Sequence, residues 1–130
     1  MVITGTNDTP VITVVDVDGA VTEDATDPNL SDSGSITFTD NDTTDLSGAT
    51  VALDTTATTG PAIPTSLLTA LGSAVGLSGD TAAANNGTIT WGFELANSEV
   101  QYLAEGETVT ATYTITITDD SGVGLSLIHI

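Results

Sequence analysis

The sequence has no lysine, no arginine and no cysteine. Without cysteine there is no disulfide framework and no thiolate for metal or redox chemistry. Without basic side chains nothing neutralises phosphate, which argues against nucleic acid and anionic membrane surfaces as partners. The amino end lacks the basic n-region of a secretory signal, and no apolar run is long enough to span a bilayer. No membrane insertion is therefore expected, and any export signal is expected outside this sequence. Aromatic residues make up only 4%, leaving few rings to stack on a sugar. His129 is the single histidine.

What is present in quantity is acid: 18 Asp and Glu among 130 residues, for a formal charge of −18. Self-repulsion on that scale opposes compaction, so a cation is expected to relieve it. The acids gather in short runs at the ends of β-like segments: Asn7-Asp8, Asp40-Asn41-Asp42 and Asp119-Asp120. Oxygen ligands collected on loops suit a hard cation such as Ca²⁺, although no 12-residue EF-hand loop is present. A hydrophobic content of 39% and a mean hydropathy of +0.22 argue against disorder. The length suits one domain with its own core. About one residue in five is threonine, and β-branched residues favour strands.

Residues 11–17 read as a first strand, with a turn at Asp18-Gly19 and a short continuation over residues 20–23 on a second sheet. Residues 26–34 read as loop, crowded with Asp, Pro, Asn, Ser and Gly. Residues 35–39 alternate, with Ile36 and Phe38 on one face, and an acidic loop follows over residues 40–45. Residues 49–53 form a further strand with Val51 and Leu53 inward. The stretch 55–86 is the least regular. Within it, Leu67, Leu71 and Val75 share one helical stripe with Leu68 beside it, which predicts a short crossover helix over residues 64–75. Thr65 or Ser66 would cap that helix and Gly76 would stop it. A turn at residues 85–87 precedes residues 88–95, whose alternation puts Ile89, Trp91, Phe93 and Leu95 on one face. Residues 100–107 make a corner, with Tyr102 and Leu103 plugging the base of the core. The strongest strand is 108–118: Val109, Ala111, Tyr113, Ile115 and Ile117 face in, and six threonines face out. It ends at a tight acidic turn, residues 119–122. The pattern predicts an all-β, antiparallel β-sandwich of about seven strands with one short crossover helix.

In such a sandwich the second and sixth strands both end at the top, so Asp40, Asp42, Asp119 and Asp120 should lie beside the incoming Asn7 and Asp8. That set could supply the six to eight oxygens of a calcium site. At the bottom, Glu23 should approach Glu105 and Glu107 in the corner. Asp16 and Asp18, in a D-x-D-G turn, are further candidates.

Several pieces resemble the VCBS-type, cadherin-like tandem repeats of RTX-type bacterial surface adhesins. They are Ile3-Thr4-Gly5-Thr6-Asn7-Asp8-Thr9-Pro10-Val11-Ile12, Gly34-Ser35-Ile36-Thr37-Phe38-Thr39-Asp40-Asn41-Asp42, Tyr102-Leu103-Ala104-Glu105-Gly106-Glu107-Thr108 and Tyr113-Thr114-Ile115-Thr116-Ile117-Thr118-Asp119-Asp120-Ser121-Gly122. The resemblance implies an Ig-like (cadherin-like) sandwich that holds Ca²⁺ between successive domains. Its partners would be neighbouring repeats of the same polypeptide, with surface glycans or other cells engaged through other domains. The location would be extracellular or on the bacterial cell surface, in adhesion and biofilm. Residues 1–9 would be the end of a preceding repeat and its linker, and residues 10–124 a single repeat. Residues 125–130, Leu-Ser-Leu-Ile-His-Ile, do not resemble the family's next strand. They match the translation of a transposon-end sequencing adapter, so the final strand is expected to be truncated or replaced.

Three other functions compete with a spacer role. A glycan- or surface-binding module would need exposed aromatics, yet Trp91 and Tyr113 fall on core faces. A glycosidase would need its paired carboxylates in a cleft, whereas these sit on turns. An ice-binding face would use the threonine ladder, which is only one strand wide. No enzymatic activity is expected.

Overall fold

A computed structural model describes residues 1–6, 8–26, 28–41, 48–79, 86–118 and 123–130. Among the described residues, seven strands form two sheets. One is ordered β1 (Val11–Val15), β2 (Asn29–Thr39), β5 (Asn86–Ala96), β4 (Val75–Gly79); the other is β3 (Gly48–Thr58), β6 (Val109–Thr118), β7 (Val123–His129). Every pairing between named strands is antiparallel. This order is that of the constant-type immunoglobulin sandwich. One helix, α1 (Thr65–Leu71), carries the chain from β3 in one sheet to β4 in the other.

The alternation along β5 and β6 builds the core. Trp91, Tyr113, Phe38, Ile36, Ile89 and Ile115 are essentially inaccessible to solvent. Two of these side chains also carry a polar end. The Trp91 indole N–H donates to the Asp16 carbonyl at 2.7 Å. The Tyr113 hydroxyl donates to the Leu71 carbonyl at 2.9 Å, tying β6 to the last turn of α1.

Several sequence expectations need correction. The stretch 26–34 is not all loop, because β2 already begins at Asn29. Gly34 faces Trp91 across the ladder, and a β-carbon there would come within 2.7 Å of the indole. The turn-forming residue is thus a strand residue that makes room for the largest side chain in the core. The helix is shorter than predicted, and neither Thr65 nor Ser66 caps it; Pro64 occupies the cap position without a side-chain bond. It stops at Gly72, not Gly76. Ala74 accepts from the Glu94 N–H at 2.9 Å, and Val75 opens β4 instead of extending the helix. Gly79, at φ 123°, lets the end of β4 lie on β5, where a β-carbon would meet the Thr88 carbonyl at 2.4 Å.

Asp18-Gly19 is not a turn. After β1 the chain leaves β2 and crosses to the second sheet, where Asp18 bridges His129 in parallel. The His129 N–H donates to the Val17 carbonyl at 2.9 Å, and the Gly19 N–H donates to the His129 carbonyl at 2.9 Å. Asp32, half-buried on the same side of β2 as Leu30, closes the crossing: its carboxylate accepts from the Ala20 N–H at 2.9 Å. Residues 125–129 lie within the seventh strand, where Ile128 is fully buried opposite Tyr113.

Burial pushes the Tyr113 phenol up from 10.0 to about 12. The unfolded chain therefore gives up this proton first. The stabilisation from Tyr113 is complete below pH 10 and is lost as the pH rises toward 12. Alkaline titration is expected to lower the melting temperature across that window. Tyrosinate absorbance from Tyr113 should appear together with unfolding, and Tyr113→Phe should remove that component.

Candidate functional site

The chain enters at one pole of the sandwich and leaves toward the other. Val11 opens β1 opposite Thr39, the last residue of β2, and Gly48 opens β3 opposite Thr118, the last residue of β6. The connections after β2 and β6 therefore both emerge at the entry pole. There the Asn41 side-chain amide donates to the Asp8 carboxylate at 3.4 Å, placing the incoming segment against the β2–β3 connection. Asp40, beside Asn41, is buried, with 5% of its surface exposed. Of the residues expected at this pole, Asp8 and Asp40 are placed; Asn7, Asp42, Asp119 and Asp120 lie outside the described residues.

At the opposite pole the three glutamates surround one feature. Glu23, Glu105 and Glu107 all line a cavity of about 620 Å³. Its floor is apolar, formed by Leu30, Leu67, Leu95 and Val100. Glu23 accepts from the Gln101 side-chain amide at 2.6 Å. Glu107 accepts from the Ala104 N–H at 2.9 Å while its own N–H donates to the Ala104 carbonyl at 2.9 Å. Gly106, at φ 85°, completes that turn in a conformation that favours glycine. Glu105 is exposed. The Tyr102 hydroxyl is buried without a hydrogen-bond partner among the described residues. Burial, and then the nearby Glu107 charge, push its pKa up.

Sequence reasoning passed over Asn97, which is 5% exposed. Its side-chain amide donates to the Asp24 carbonyl, its side-chain oxygen accepts from the Asp24 N–H at 3.4 Å, and its backbone N–H donates to the Pro28 carbonyl at 3.0 Å. It clamps the segment after Glu23 to the β5–β6 corner. The signal available in the sequence was a polar residue directly after a strongly alternating strand. Asp16 and Asp18 are both exposed and belong to the sheet crossing.

Among the described residues, no three acidic or histidine side chains come close enough together to hold a metal ion. Also among them, no helix is long and apolar enough to cross a membrane. No protein-family model matches the chain, and no curated protein or solved structure shows significant similarity to it.

Proposed function

We propose that this chain is a structural spacer module of a large secreted or cell-surface adhesin, stiffened by calcium at its entry pole. The contact between Asn41 and Asp8 carries the reading, because it sets the incoming segment against the connection that holds Asp40 and Asn41. Two carboxylates and an amide oxygen are hard donors of the kind Ca²⁺ takes. Asn7, Asp42, Asp119 and Asp120 belong to the same proposed ligand set. At the opposite pole, Glu23, Glu105 and Glu107 are the weaker candidates. Two of them already accept hydrogen bonds from their own chain, and a cation there would compete with Gln101 and the Ala104 N–H.

Entry at one pole and exit toward the other is the geometry of modules joined end to end. Neighbouring modules of the same polypeptide would be the partners, and the role would be mechanical, not catalytic. Glycan recognition has less support: Trp91, Tyr113, Phe38 and Phe93 are all buried, and Tyr102 is half-buried.

Binding to the folded state alone adds about 2.7 kcal/mol at a hundredfold excess over Kd. Calorimetry is therefore expected to show a melting temperature several degrees higher in calcium than in EDTA. Asp8→Ala should remove most of that difference and leave the EDTA value unchanged. Identical melting temperatures in calcium and EDTA would sink the proposal.

A further inference from the structure

We infer that the free edge of β3 over residues 48–53 pairs with the same edge of a second copy of this chain, in an antiparallel two-fold dimer. Among the described residues β3 pairs with β6 alone and stands at the edge of its sheet. The other sheet ends on shorter edges. β4 has five residues, and β1 has five with a register shift between Ile12 and Val14. β3 has 11 residues, and its register with β6 is unbroken from Gly48 to Leu53. No proline or charged side chain stands in that stretch. Those are the devices that usually keep an exposed edge from pairing.

The backbone groups of this stretch point the right way. Thr108 turns its carbonyl toward β3, where it accepts from the Thr59 N–H at 3.0 Å, whereas Ala111 bonds with Ile130 on the far side of β6. Groups along an antiparallel strand alternate in this respect, so Tyr113, Ile115 and Ile117 face away from β3. Leu53, Val51 and Ala49 lie opposite those three. They therefore direct their own N–H and carbonyl groups outward, off the sheet. The side chains of Val51 and Leu53 pack against the core yet are only half-buried, while Ile115 and Tyr113 opposite them are inaccessible. A strand laid along this edge would take up the outward backbone groups and finish covering both side chains, which is the physics of strand addition.

The edge is complementary to itself. With Val51 on a two-fold axis, Val51 meets Val51 of the second copy, and Ala49 meets Leu53 of the second copy. Each outward N–H and carbonyl then finds a partner, and a large side chain is set against a small one. On the outer face, exposed Thr50 lies directly opposite exposed Ala52 of the second copy. Charge selects the same occupant. A chain of charge −18 repels its copy wherever acids face each other. Asp54 is the only acid in β3 and falls at the register shift, beyond the paired stretch. The two-fold axis sends the two Asp54 carboxylates to opposite ends of the contact. Such a contact is isologous, so the dimer is closed. It is small beside the about 1,200–2,000 Å² of a stable interface, and the dimer is therefore weak. The two copies run in opposite directions, as modules of two facing arrays would, an extension that rests on the spacer reading.

The test is sedimentation velocity of the full chain in EDTA, which keeps it separate from the calcium reading. The series runs up to about 1 mM chain, at about 0.15 M salt to screen the net charge. The weight-average mass is expected to rise from 13.0 kDa toward twice that value and no further. Thr50→Glu combined with Ala52→Glu sets like charges directly opposite each other and should weaken the dimer about tenfold. Thr50→Lys combined with Ala52→Glu sets opposite charges there and should restore it. Both positions are exposed in the single chain, so the melting temperatures of these variants should stay close to that of the parent. A mass fixed at 13.0 kDa at every concentration overturns the proposal. So does growth past a dimer, a dimer indifferent to the like-charged pair, or one that the oppositely charged pair fails to restore.

Discussion

Trp91→Ala is expected to bring the domain close to unfolding at room temperature. Trp91 is entirely buried and packs against Gly34 across the β2–β5 ladder. Truncating a buried tryptophan costs about 3–5 kcal/mol. The Asp16 carbonyl, which accepts the indole N–H at 2.7 Å, also loses its donor, a net loss of about 1 kcal/mol. Domains of this size have only about 5–15 kcal/mol in total. Urea titration followed by circular dichroism should show the midpoint falling by a large fraction of its value, or no cooperative transition. Trp91→Phe separates the two contributions: it keeps most of the packing, loses the donor, and should cost clearly less than Trp91→Ala. A Trp91→Ala midpoint close to that of the parent would refute the central place given to this side chain.

Ile128 makes the second large prediction. It is fully buried, in register with Tyr113, within the hexamer 125–130 that was expected to stand in for a truncated or replaced final strand. Ile128→Ala is expected to cost about 2–5 kcal/mol. Ile128→Asp, which places a carboxylate in the core, should prevent folding, because burying an unpaired charge costs more than the domain has to spare. Proteolysis and near-ultraviolet circular dichroism read both outcomes. Were the hexamer an external passenger, both variants would remain within about 0.5 kcal/mol of the parent, as ordinary surface substitutions do.

The parts of the fold legible in the sequence were those where one face is buried and the other wet. Ile89, Trp91, Phe93 and Leu95, and then Ala111, Tyr113, Ile115 and Ile117, alternate because each strand has a single core face, and all eight are buried. The first half of β2 escaped notice because, of its inward positions, only Leu30 is apolar. Asp32 faces the sheet crossing to hold the Ala20 N–H, and Gly34 yields its space to Trp91. Both look like turn residues until their neighbours across the sheet are known. β4 was hidden differently. Val75 continues the spacing of Leu67 and Leu71, so local periodicity favours helix, while pairing with β5 recruits it into the sheet.

The site was legible in proportion. Grouping the acids into two poles followed from strand direction alone, and the structure places Asp8 beside Asn41 at one pole and three glutamates around one cavity at the other. The cavity itself could not be read from the sequence. It is lined by residues 20–23 and 108–110, which are distant along the chain and are brought to one pole only by the fold. No local pattern encodes that approach.

The sheet crossing at Val17–Gly19 also determines how the domain would answer tension. Residues 17–19 and β7 run in the same direction, side by side. A pull applied through the residue before Val11 at one pole and through Ile130 toward the other drags these two segments past each other lengthwise. The two backbone bonds between them, His129 to Val17 and Gly19 to His129, would then be loaded together in shear and not opened one after the other. The Trp91 indole, anchored to Asp16 just upstream, backs this patch like a bolt behind a hinge. A small crossing that looks like an irregularity of the first strand is therefore where a stretched domain would resist first.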